Sequence, residues 1–110
     1  MIEEVILSYL ERTLDVPVYL EQPEEQIEKY VLFEKTGSSR KNYINHATVV
    51  FQSYADSMYN AAKLNEKVKN AMDSIIYEED ISKAALNSDY PYTDTIKKRY
   101  RYQAVYDLTY

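Results

Sequence analysis

Residues 99–109 (RYRYQAVYDLT) alternate without a break between two kinds of side chain. Tyr100, Tyr102, Ala104, Tyr106 and Leu108 fall on one side; Arg99, Arg101, Gln103, Val105, Asp107 and Thr109 fall on the other. A period of two is the signature of a strand with one face to bury. Such a strand needs partners in a sheet and a second layer to cover its apolar face.

The covering layer is also legible. Met58, Ala61, Leu64, Val68, Met72 and Ile75, with Ala71 beside them, recur at helical spacing, while Lys63, Glu66, Lys67, Lys69 and Asn70 take the other side. The small Ala61, Ala62 and Ala71 let this helix approach a sheet closely, and Asp56 or Ser57 can cap its start. A second helix is predicted over 2–14, from Ile2, Val5, Ile6, Tyr9, Leu10 and Leu14. Its early acids Glu3 and Glu4 suit the positive end of the helix dipole, and Asp15 and Pro17 stop it.

Three further strands are expected before the long helix: 16–20, 29–35 and 43–54. Pro17 lacks an amide donor, which suits a sheet edge. EQPEEQIE, 21–28, is an acidic connector, and TGSSRKN, 36–42, with the chain's one glycine, reads as a flexible loop. In the strand over 43–54, Ala47, Val49 and Phe51 share one face, while His46, Thr48, Val50, Gln52 and Tyr54 share the other. Two faces of mixed polarity predict a sheet covered on one side and partly covered, by a neighbour, on the second. YEED, 77–80, reads as a polar turn, 81–88 as a strand and 89–98 as a loop. The predicted order is αβββαββ. The fold class is α+β, with a single antiparallel sheet and both helices on one face. A chain of 110 residues gives one domain, 1–110, with no room for a second.

Composition then narrows the chemistry. With no cysteine there is no disulfide, thiolate cage or thiol nucleophile, and a reducing cytoplasm is the expected setting. One histidine cannot build a metal site of several imidazoles, and one glycine cannot build a phosphate-cradling loop. No metal and no cofactor is expected. MIEEVILSYLER has acids where an export signal carries bases, and no apolar stretch approaches membrane-spanning length. His46 has no sequence partner for catalysis and reads as a surface or interface histidine. The paired acids Glu3–Glu4, Glu24–Glu25 and Glu78–Glu79–Asp80 read as solvated charge, since neighbours on a helix end or loop do not converge.

Charge is uneven. Residues 1–34 hold nine acids and two bases, a net of −7; residues 35–110 hold nine acids and eleven bases, a net of +2. Such polarity suits head-to-tail contact between copies; the alternative is a chance gradient on a solvated surface. A nucleic-acid binder would be positive overall, and the chain is −5. KKRYRY, 97–102, is the one stretch that could serve nucleic acid. Its alternation places Arg99 and Arg101 opposite Tyr100 and Tyr102, so charge and stacking are not expected on one surface. The 13 tyrosines point instead to protein contact, since a phenol buries a large ring and offers a hydroxyl to a partner. Tyr90, Tyr92 and Tyr110 are placed in a loop or at the end of the chain and are expected to be available; Tyr102 and Tyr106 are expected in the core.

The stretch QSYADSMYNAAKLNEKVKNAMDSI (52–75) resembles the small tail-completion or tail-terminator proteins of long-tailed bacteriophages and prophages. So do LDVPVYLEQPEEQIEKYVLFEKTG (14–37) and KRYRYQAVYDLTY (98–110). The resemblance spans essentially the whole chain and rests on texture rather than on a catalytic signature. It implies an α+β fold and a ring, commonly hexameric, at the head-proximal end of the tail tube. That ring ends tube polymerisation and joins the tail to the head, with no enzymatic step. The implied partners are copies of the chain, the tail tube protein and a neck or connector protein; a single copy can stay monomeric until assembly. The implied location is the virion, and the bacterial host cytoplasm during assembly. A head-completion or connector adaptor is the nearest alternative, and a small nucleic-acid-binding regulator using 97–102 is the alternative of another class. The expected interface lies in loops 36–42 and 88–98, with Ser38, Arg40, Lys41, Tyr90 and Tyr92 as its residues.

Overall fold

A computed structural model of the chain describes residues 1–94, 96 and 99–110. Its elements are α1 (Ile2–Thr13), β1 (Val18–Tyr19), β2 (Tyr30–Lys41), β3 (Ile44–Ala55), α2 (Met58–Glu78), β4 (Lys83–Pro91) and β5 (Tyr100–Thr109). The α+β class and the order αβββαββ are those read from the sequence. The five strands form one sheet in the order β1-β2-β3-β5-β4. β2–β3, β3–β5 and β5–β4 pair antiparallel, but β1 pairs parallel to β2 through Val18 opposite Val31. The all-antiparallel expectation therefore fails at this edge. The connector after β1 is long enough to bring the chain back, and a short strand can then enter in either sense.

β5 inserts between β3 and β4, so those two strands run the same way and need α2 as a crossover. That crossover places α2 across the sheet. Its buried Ala61, Leu64, Val68, Met72 and Ile75 meet Val49, Phe51, Ala104, Tyr106 and Leu108. α1 adds Ile2, Ile6, Tyr9 and Leu10 to the same cluster, beside Val31 and Phe33. The Tyr9 hydroxyl donates to the Ala71 carbonyl at 2.6 Å, which ties α1 to α2. Both helices thus lie on one face. Each large core side chain, such as Phe51, contributes roughly 1.5–3 kcal/mol by leaving water.

Local signals explain the boundaries. Ser57 caps α2, accepting from the Asn60 amide at 3.1 Å, as the sequence suggested. The helix runs on through Tyr77 and Glu78, so the first half of YEED is helix, and the predicted turn is left with Glu79 and Asp80. Between β2 and β3 the expected loop is absent. Residues 36–41 are strand, and the reversal takes only Asn42 and Tyr43, at φ 52° and 65°. Two positive φ values in a two-residue hairpin match the twist of the flanking strands. The glycine is not at the turn; Gly37 follows a register irregularity after Lys35. β4 likewise extends to Pro91, beyond its predicted end, with an irregularity between Leu86 and Ser88.

Candidate contact surface

The helices leave the other face of the sheet uncovered by any described element. Alternation puts Leu32 and Glu34 of β2 there, with Thr48, Val50, Gln52 and Tyr54 of β3 and Arg101, Gln103, Val105 and Asp107 of β5. The strand pairing confirms it: Leu32 faces Gln52, Val50 faces Val105 and Gln52 faces Gln103. The mixed polarity read in the strand 43–54 is this open face.

One end of the face is a packed polar cluster. Tyr30 and Tyr54 stack with ring centres 4.5 Å apart and planes 9° apart, and both are nearly inaccessible. Arg99 lies 5.6 Å from the Tyr30 ring and 5.5 Å from the Tyr54 ring. Arg101 lies 5.8 Å from Tyr54 and 4.4 Å from Tyr92. Cations and rings therefore share a surface, against the sequence reading. Alternation separates residues within a strand, but β2, β3 and Tyr92 bring rings to the arginine side. Neither Tyr100 nor Tyr102 is a fully buried core residue: Tyr100 is exposed and Tyr102 half-buried. Both guanidinium groups make hydrogen bonds within the chain. Arg99 donates to the Ile27 carbonyl at 2.8 Å, and Arg101 donates to the Tyr92 carbonyl and the Tyr54 hydroxyl. The Tyr30 hydroxyl donates to Gln22, whose amide nitrogen donates to Tyr54. The effect is to pin the acidic connector 21–28 onto the end of the sheet. Burial, and then the neighbouring Tyr54, hold the Tyr30 hydroxyl above the ordinary tyrosine range. Lys97 and Lys98 lie outside the described residues.

Tyr90 belongs to this end. It is on β4, not in a loop, and its hydroxyl accepts from the Gln103 side chain. Tyr92 follows the strand, edge-on to Tyr90 at 6.2 Å. Both stay partly exposed, at 39% and 47%. Tyr110, expected to be free, is packed against the core, and its backbone exchanges two hydrogen bonds with Asn45.

The other end of the sheet carries an exposed outer segment of β2 and a short tip, together the arm. Every residue from Glu34 to Ile44 is exposed; Gly37–Lys41 pair with Ile44–Thr48, of which His46, Ala47 and Thr48 pair in turn with β5 and Asn45 with Tyr110, so only residues 41–44 project beyond the sheet. Ser38, Arg40 and Lys41 stand on this arm, far along β2 from Tyr90 and Tyr92. The expected interface residues are therefore split between opposite ends. β1 covers β2 only at Val31 and Leu32, so the outer edge beyond Phe33 has no strand partner among the described residues. The molecule measures 44 Å along its longest axis against 25 and 24 Å. Where the arm leaves the sheet, a shallow depression of about 560 Å³ is lined by Ser39, His46, Lys83 and Asp107. His46 Nδ1 lies 3.3 Å from the Thr109 hydroxyl, while Asp107 accepts from Thr48 and Asn87. His46 is thus an exposed side chain beside a hydroxyl, and no carboxylate among the described residues orients it.

The sequence reading missed Tyr43. It sits at the tip, 88% exposed, with the Arg40 guanidinium 5.6 Å from its ring centre. Asn42 was the available signal, since asparagine tolerates left-handed backbone and often opens a two-residue turn. Among the described residues no group of three or more metal-ligating side chains converges, and no helix is long and apolar enough to cross a membrane. No protein-family model matches the chain, and neither does any curated protein.

Proposed function

We propose that this chain is a virion structural protein that caps the head-proximal end of a phage tail tube. Its copies form a ring, one face of which denies the last tube layer a further addition surface while the other receives the neck. The work is contact, not catalysis. The supporting observation is the exposed run at Glu34–Ile44, an outer strand with no further strand beside it among the described residues and a tip that projects past β5, on a sheet whose second face no described element covers. A lone domain gains little from leaving a long strand edge and an aromatic tip in water; an assembling one gains an edge and a reach to its neighbour. Unlike ends also suit heterologous packing, which closes into rings when the rotation allows.

Deleting the gene from the phage or prophage that encodes it tests the role. Electron microscopy should then show tails of uncontrolled length, or full heads without tails. Leaking heads with normal tails would assign the adaptor role instead, and normal infectious particles would refute both. The nucleic-acid reading predicts salt-dependent DNA binding lost on neutralising Arg99 and Arg101. Against it stands the engagement of both guanidinium groups inside the protein.

A further inference from the structure

We infer that Tyr43, at the arm tip, is an anchor that inserts into a second copy of this chain, in the hollow between Leu20, Leu32 and Val50. The inference rests on the reading above that the chain works as one of several identical copies. Three independent observations carry it.

The first is the tip itself. A left-handed backbone is uncommon outside glycine, and for a bulky residue it is an outlier. A hairpin of this type takes glycine most readily at its second turn position, yet Tyr43 stands there at φ 65°. Its ring is 88% exposed and meets only the Arg40 guanidinium among the described residues. The turn needs a left-handed residue there but not a tyrosine, and a bulky ring where glycine would be unstrained points to use. Aromatic side chains at the end of a rigid element are the common anchors of protein interfaces.

The second is the receptor. A hollow of about 230 Å³ opens on the uncovered sheet face, with Leu20, Leu32 and Val50 as apolar lining and Glu21, Glu34 and Gln52 around them. At roughly 30 Å³ per water it holds several waters, about the space of one phenol side chain. Leu20 is 41% exposed at its rim. The chain's own tip cannot fill it. Tyr43 lies beyond the strand residues 35–41, a run of about 23 Å at ~3.3 Å per residue, and then Asn42.

The third is charge. Arg40 and Lys41 flank the tip; Glu21 and Glu34 flank the hollow. None of the four makes an ion pair among the described residues. Tyr43 in the hollow would bring the two bases to the two acids, while a second tip or a second hollow would be repelled. The contact is therefore head to tail, and each copy offers one tip and one hollow.

The chain has no cysteine, so a single thiol can be placed at will. Asn42→Cys, which keeps the Tyr43 ring, and Leu20→Cys proteins, of different tag mass, are mixed and oxidised gently. Tyr77→Cys, 82% exposed at the far end of α2, replaces Asn42→Cys in the control. The Asn42–Leu20 disulfide should form on the order of tenfold faster than the control pair, the ratio given by ~1.4 kcal/mol of association, and should lose that lead when Tyr43→Ala is added to the tip protein. Arg40→Glu with Lys41→Glu on the tip protein should erase that advantage. Glu21→Lys with Glu34→Lys on the other protein should restore it. Melting curves of each variant separate lost contact from lost fold, and the restored pair excludes a merely structural effect. Equal rates for the two pairs would overturn the inference. So would an advantage indifferent to charge reversal. The assay reads the contact alone: a cross-link combined with normal tails after gene deletion would remove the tail role and leave the contact standing.

Discussion

Tyrosine chemistry divides by position in this chain, and the division was only partly legible beforehand. Tyr106 reads as core from strand alternation alone, and it is fully buried. Its single hydroxyl hydrogen is shared between the Asp73 carboxylate, at 3.0 Å, and the Lys69 carbonyl, at 3.2 Å. Burial first, and the Asp73 carboxylate second, push its pKa above the ordinary 10.0. The unfolded chain therefore ionises first. This contribution to stability is complete below pH 10.0 and is lost as the pH climbs above it. Urea midpoints taken from pH 8 upward should fall above that value, and less steeply in Tyr106→Phe. Tyr43 gives the opposite test. Replacing it by Gly removes left-handed strain and should raise stability by about 0.5–1 kcal/mol, a gain visible in the urea midpoint. A lower midpoint would mean that the tip is packed rather than presented. Tyr30 and Tyr54 were not legible as a buried pair. Their enclosure depends on Arg99 and Gln22, which no local pattern links to them.

The elements were predicted well where one period ran long. α2 and β5 emerged almost in place, because each has a single uninterrupted stripe. The errors fall where a second signal competed. Gly37, Ser38 and Ser39 have loop composition, yet pairing with Thr48, Ala47 and His46 makes them strand. Ladder hydrogen bonds outweighed weak local propensity there. The parallel entry of β1 was hidden for another reason: two residues carry no directional signal, and Val18 is placed by burial against the core. Two tests belong at this scale. Ser57→Ala removes the α2 cap and should lower stability by about 1 kcal/mol in denaturant melts. Arg99→Ala removes the bond to the Ile27 carbonyl. Amide exchange in the connector 21–28 should quicken severalfold while exchange in the core stays unchanged. Equal exchange in both proteins would show that the cluster does not hold the connector.

At the scale of the whole molecule, the charge gradient acquires a shape. The acidic connector is pinned at one end of the sheet by Arg99, and the basic tip of the arm extends from the other. The linear sequence shows the imbalance but not the distance, since the distance comes from β2 running unbroken through the predicted loop. The most direct test of the proposed role is to image, by electron cryomicroscopy at side-chain resolution, the particles of the phage or prophage to which that proposal assigns the chain. The account predicts this chain as a closed ring between tail tube and neck, with the Glu34–Ile44 arm of each copy reaching the next. Particles that lack the chain altogether, or hold it as separate copies whose arms touch nothing, would contradict it.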